Sequence, residues 1–179
     1  MSTQDAPDGK HPVSALMAGP YGHPLHPLLV TVPIGAWVAS LVFDIGSHLA
    51  DRPGTLADGS LWLIAIGVIG ALAAAMVGFL DLLAIPTGTR AFRTGLLHMS
   101  LNLTVTLAYA LGFAWRHGAY GHDAAVGSGQ LALSSASLAV LAVSGFLGGK
   151  LAYRYGVRVA AESGQREGLD PIPTRSHRS

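Results

Sequence analysis

Few residues in this chain could do chemistry inside its apolar stretches. The ionisable ones are His26, Asp44, His48, Asp81 and His98; Asn102 is a neutral polar companion, and His23 lies just ahead of the first stretch. Placing such a side chain in a bilayer costs roughly 2.5–3.5 kcal/mol, so these groups turn inward and often carry function. At about 100° per residue, His26, Pro33, Trp37, Ser40, Asp44 and His48 follow one helix line, and His98, Asn102, Tyr109 and Arg116 follow another. His26 and His98 form a candidate axial pair for b-type haem, because haem iron takes imidazole nitrogen and helix bundles receive the macrocycle. In that reading His23 is the substitute for His26, Asp81 or Asn102 holds an imidazole tautomer, and Gly78, Gly95 and Gly148 make room.

Other chemistries use the same residues. His26, Asp81 and His98 could hold a divalent metal, since imidazole and carboxylate suit zinc or iron. Paired Asp and His groups, joined by Ser40, Tyr109 and Asn102, could carry protons or a small cation, and four helices would then need a homodimer. The structural use is a set of buried His–Asn–Asp hydrogen bonds around His98, each contributing about 0.6 kcal/mol in membrane bundles. Asp44 and His48 form a second polar cluster as an i,i+4 pair, with Arg116, His117, His122 and Asp123 nearby.

The elements that must position these groups follow from composition. Half the 179 residues are hydrophobic and only 12% are charged, against about 25% charged in a soluble domain. That balance excludes a globular cytosolic protein, a disordered chain and a nucleic-acid binder, and it makes the lipid bilayer the main partner. Four apolar stretches, at about 26–48, 61–85, 93–116 and 126–150, each match the ~20 residues a spanning helix needs. The alternating half-length segments of a membrane barrel are missing. Short connections make successive helices antiparallel neighbours. The expected fold is therefore all-α: an integral membrane up-down four-helix bundle over 23–155, between a 1–22 segment and a flexible tail at 156–179. In that topology His26, Asp81 and His98 return to one level, about one or two turns from the same boundary.

Charge predicts orientation. Nine of the 11 Lys and Arg residues (Lys10, Arg90, Arg93, Lys150, Arg154, Arg158, Arg166, Arg175, Arg178) lie on the side of the two termini and the 86–92 loop. Only Arg52 and Arg116 lie opposite, so the positive-inside rule places both termini in the cytoplasm. The absence of Cys excludes disulfides, thiolate catalysis and iron–sulfur ligation by this chain. No Gly-x-Ser-x-Gly elbow, His-Glu-x-x-His pair or phosphate-cradling loop occurs, so an enzyme acting by itself is not expected.

His23-Pro24-Leu25-His26-Pro27-Leu28-Leu29-Val30, Pro33-Ile34-Gly35 and Phe43-Asp44 are similar to the opening of a bacterial membrane family, domain of unknown function 2231. The likeness continues through Gly78-Phe79-Leu80-Asp81, Ile85-Pro86, Arg93-Thr94-Gly95 and His98-x-x-x-Asn102. It closes on Ser144-Gly145-Phe146-Leu147-Gly148-Gly149-Lys150-Leu151 and Tyr153-Arg154-Tyr155-Gly156-Val157. The resemblance covers roughly residues 20–158. It implies a four-span protein of the bacterial inner membrane with no settled activity. Some relatives are fused to Rieske-type or c-type cytochrome domains, which implies a component associated with electron transfer. This chain carries no such domain, so a redox role would need a non-covalent cofactor and a separate redox partner protein.

Overall fold

A computed structural model describes residues 25–159. The expected 1–22 segment, His23 and all but the start of the expected tail lie outside the described residues. Five α-helices follow in order: α1 Leu25–Leu29, α2 Thr31–Ser47, α3 Pro53–Leu83, α4 Arg90–His117 and α5 Ser128–Gly149. A π-helical turn over Lys150–Arg154 closes the series.

Local chemistry sets the breaks. Pro33 has no N–H to give to the turn before it, which loosens the rod at Val30. The backbone bonds Val30 N to His26 O (3.1 Å) and Ile34 N to Val30 O (3.3 Å) carry the chain across, so α1 and α2 together form one crossing, Leu25–Ser47. Pro53 opens α3 at a position where its missing N–H costs nothing. This start lies ahead of the apolar stretch at Leu61, where the fixed φ of Pro53 suits the first helical turn. With 31 residues, α3 is longer than the bilayer's hydrocarbon core of about 30 Å requires. Thr89 caps α4 by accepting from Phe92 N at 3.1 Å.

The helices pack in chain order, α2 on α3, α3 on α4 and α4 on α5, and a thinner α2–α5 seam closes the ring. All four crossings are long and apolar enough to span a membrane, and no strand occurs among the described residues. The surface is turned outward as lipid demands: Ile69, Leu72, Met76, Leu107, Leu111 and Phe146 are exposed, while Ser40, Ser60, Ser134, Ser144, Asp44 and Arg116 are buried.

The middle of the bundle is an apolar plug of Trp37, Ile64, Ala71, Val105 and Tyr109. Trp37 and Tyr109 stack with centroids 4.3 Å apart and planes 7° from parallel. The Trp37 indole lies directly on Gly67, where an added Cβ would overlap its ring. Gly67→Leu is therefore expected to cost about 1–3 kcal/mol through overpacking. Gly35→Leu, where a Cβ meets nothing within 4 Å, should change stability by less than about 0.5 kcal/mol. Thermal denaturation of the two variants in detergent checks the contrast.

Candidate functional site: two imidazoles across the bundle

His26 enters from α1 and His98 from α4, helices that do not neighbour each other in the ring. Each imidazole is anchored on a third helix. His26 Nδ1 donates to Ala74 O on α3 at 2.9 Å, and His98 Nδ1 donates to Ser144 O on α5 at 2.8 Å. A carbonyl only accepts, so each Nδ1 must carry hydrogen and each neutral ring keeps its lone pair on Nε2. The ring centroids lie 6.3 Å apart with planes 83° to one another. Both residues are half-buried.

Two glycines set that separation. A Cβ on Gly78 would stand 2.8 Å from His26 Cε1, and one on Gly148 would stand 3.0 Å from His98 Cε1. The space they leave is what lets each imidazole lie against the neighbouring helix. Gly95, expected beside them, instead faces Leu82 Cδ1 at 2.7 Å from its would-be Cβ.

Asn102 does sit with His98, one turn along α4. Its amide nitrogen donates to His98 O at 2.9 Å and lies 3.2 and 3.4 Å from Nε2 and Nδ1. Near-equal distances to both ring nitrogens put the amide over the ring face, off the Nε2 lone-pair direction. The buried Ser144 hydroxyl also donates to His98 O, at 3.1 Å. His98 is thus held from two helices while its Nε2 lone pair stays available.

Asp81 takes a different partner from the one expected. Arg158 Nε donates to its Oδ1 at 2.7 Å, and Nη2 approaches the same oxygen at 2.5 Å. Among the described residues no three His, Cys, Asp or Glu side chains form a group that could hold a metal ion. His26, Asp81 and His98 are therefore not such a set, because the only carboxylate is neutralised elsewhere. Arg158 reaches Asp81 because the chain folds back after the π-helical turn, through Gly156 (φ 65°) and a left-handed Arg158 (φ 60°). The start of the expected flexible tail is thus tied to α3. Gly156 two residues before an arginine was the only sequence sign of it.

Asp81→Asn should release Arg158. The pair is 13–15% exposed, so its loss should cost more than the 0–1 kcal/mol typical of a surface pair and less than the about 3–5 of a buried one. Trypsin is expected to cut after Arg158 faster in that variant than in the parent.

The second polar group is also rearranged. Asp44, fully buried, takes a bidentate grip from Arg116, with Nη1–Oδ1 at 2.6 Å and Nη2–Oδ2 at 2.9 Å. His48 is exposed just past the end of α2, so the i,i+4 pair does not form. A cation reaching across from α4 outcompetes an imidazole at a fraying helix end. Ser60 Oγ donates to Asp44 Oδ1 at 2.5 Å, and Arg116 Nη2 also donates to Ser134 Oγ at 2.8 Å and Gln130 O at 3.1 Å. Ser60, Ser134 and Gln130 are the partners that sequence reading missed, since a serine in an apolar helix looks like a packing residue. The plug of Trp37, Ile64, Val105 and Tyr109 separates this group from the histidines.

A family model described as a predicted membrane protein, DUF2231, matches residues 22–161. No curated protein and no solved structure matches the chain. The match covers all four crossings, both imidazoles and the Arg158 return. The chain belongs to the DUF2231 family of predicted membrane proteins.

Proposed function

We propose that this protein is a small membrane component of electron transfer that holds b-type haem between His26 and His98. One observation carries the reading: two imidazoles from non-adjacent helices, 6.3 Å apart, each fixed through Nδ1 to a backbone carbonyl. Metal–imidazole bonds are about 2.0–2.1 Å, so one metal gripped by two opposed rings separates their centroids by about 6 Å. Anchoring Nδ1 on a carbonyl is how proteins orient ligating histidines. Among the described residues a bare divalent ion finds no third ligand here, whereas haem brings four nitrogens of its own and asks the protein for axial ligands alone.

In this reading His26 and His98 hold the group through Nε2, and Ala74 O and Ser144 O keep both tautomers in place. Haem supplies a one-electron couple when bound. The chain has no Cys for a cluster, so electrons would pass to and from a separate redox partner. The excess of Lys and Arg beside the termini supports a cytoplasmic location for the histidine end, in the inner membrane of a bacterium. A homodimer would leave this site intact, since both ligands come from one chain.

Haemin titration of the purified protein tests the proposal. One haem per chain with a low-spin, six-coordinate spectrum is the expected result. A preparation that stays colourless after excess haemin would overturn it and leave the two histidines as helix-joining hydrogen-bond donors.

A further inference from the structure

The Asp44–Arg116 pair lies at the end of the bundle opposite the histidines, and one of its atoms is left over. Arg116 is 6% exposed. Its Nη1 and Nη2 are engaged by Asp44, Ser60, Ser134 and Gln130 O, yet its buried Nε finds no hydrogen-bond partner among the described residues. An unmet guanidinium N–H in a buried position forfeits its hydration with nothing in return, so a partner is to be expected.

Arg116 lines a cavity of about 50 Å³ together with Asp58, Tyr120 and Gln130. A water needs about 10–15 Å³ measured this way and two to four polar partners, so the cavity has room for about three to five. Polar partners are present. Gln130 spends its Oε1 on Gly127 N, and its amide hydrogens have no partner among the described residues. Tyr120 accepts from Trp62 Nε1 at 3.4 Å and keeps its own O–H to give. Asp58 also lines an outer cleft of about 310 Å³, shared with Arg52, Thr55, His122 and Asp123. One residue thus borders both spaces, between the surface and the guanidinium.

We propose that Arg116 is the floor of a water-filled vestibule opening between the start of α3 and the 117–125 loop, and that its Nε–H binds water there. The buried ion pair then exchanges protons with the aqueous phase at this end of the bundle. Toward the other end, the apolar plug keeps that water from the histidines. The vestibule is independent of the haem proposal, as it uses none of the same residues.

Proton NMR of the ¹⁵N-labelled full chain in nanodiscs tests this directly. The Arg116 Nε–H, assigned by through-bond correlation, is read for magnetisation transfer from water. The internal control is Trp37 Nε1–H, which is bonded to Ile64 O in the plug. Arg116 Nε–H is expected to exchange at least about tenfold faster than Trp37 Nε1–H. No water transfer at Arg116, or equal transfer at both sites through global opening, would overturn the proposal.

Discussion

Asp44→Ala is expected to destabilise the protein by about 3–5 kcal/mol, the cost of leaving one member of a buried ion pair alone. Asp44 is fully buried and Arg116 nearly so, and the carboxylate meets the guanidinium on both of its oxygens. Removing the acid strands a guanidinium whose remaining contacts are two serine hydroxyls and a carbonyl. Folded domains have only about 5–15 kcal/mol to lose, so the variant should lose much of its yield and melt early in detergent. Asp44→Leu combined with Arg116→Met should recover most of the loss, because replacing both members of a buried pair by apolar groups is often neutral or better. His48→Ala should change stability by less than about 0.5 kcal/mol, since His48 is exposed. An i,i+4 pair between Asp44 and His48 would predict comparable losses from Asp44→Ala and His48→Ala. Chemical denaturation of the four proteins decides between the two partners.

His98→Ala is expected to abolish haem binding while moving stability little. The axial nitrogen is lost outright, so affinity should fall by more than the about 10–100-fold that follows removal of a hydrogen bond to a ligating residue. The structural cost is the bond from Nδ1 to Ser144 O, and such contacts average about 0.6 kcal/mol in membrane bundles. His26→Ala should behave the same way, losing its bond to Ala74 O. Asn102→Ala separates the roles from the other side. It removes a group that bonds the backbone oxygen of His98 and lies over the ring, so haem should still bind, with altered affinity. A structural role for the histidines would give three variants with lowered melting temperatures and no difference in colour.

Much of this arrangement was legible before any coordinates. Long apolar stretches with short connections dictate the all-helical bundle, and the depth of His26 and His98 in the first and third crossings dictates a shared level. Partner choice was less legible. Helix-face arithmetic gives an angle around an axis and not the partner on the other side, so it places Arg116 near Asp44 without revealing that Arg116, and not His48, is the partner. Asp81 looked like a ligand because Arg158 lay in a stretch of tail composition; the left-handed turn at Gly156 and Arg158 changes that. The sequence reads Gly78 and Gly148 as making room for the macrocycle; in the fold each lies against an imidazole. The serines were hardest to read, because hydroxyls that satisfy a buried pair and hydroxyls that merely pack small look alike in sequence.

The same arginines show why counting charge and placing charge are different operations. Arg116 and Arg158 each enter the orientation count as one basic residue. In the fold each is matched to a carboxylate, one inside the bundle and one at its edge. Their removal should therefore register in stability, whereas loss of an unpaired loop arginine would register in topology alone.

Electron paramagnetic resonance of the haemin-loaded full chain tests the paired imidazoles most directly. Rings set at 83° should give a strongly anisotropic low-spin ferric signal that is lost in both His26→Ala and His98→Ala. A high-spin signal in the parent protein, or a low-spin signal unchanged in either variant, would contradict a shared axial pair.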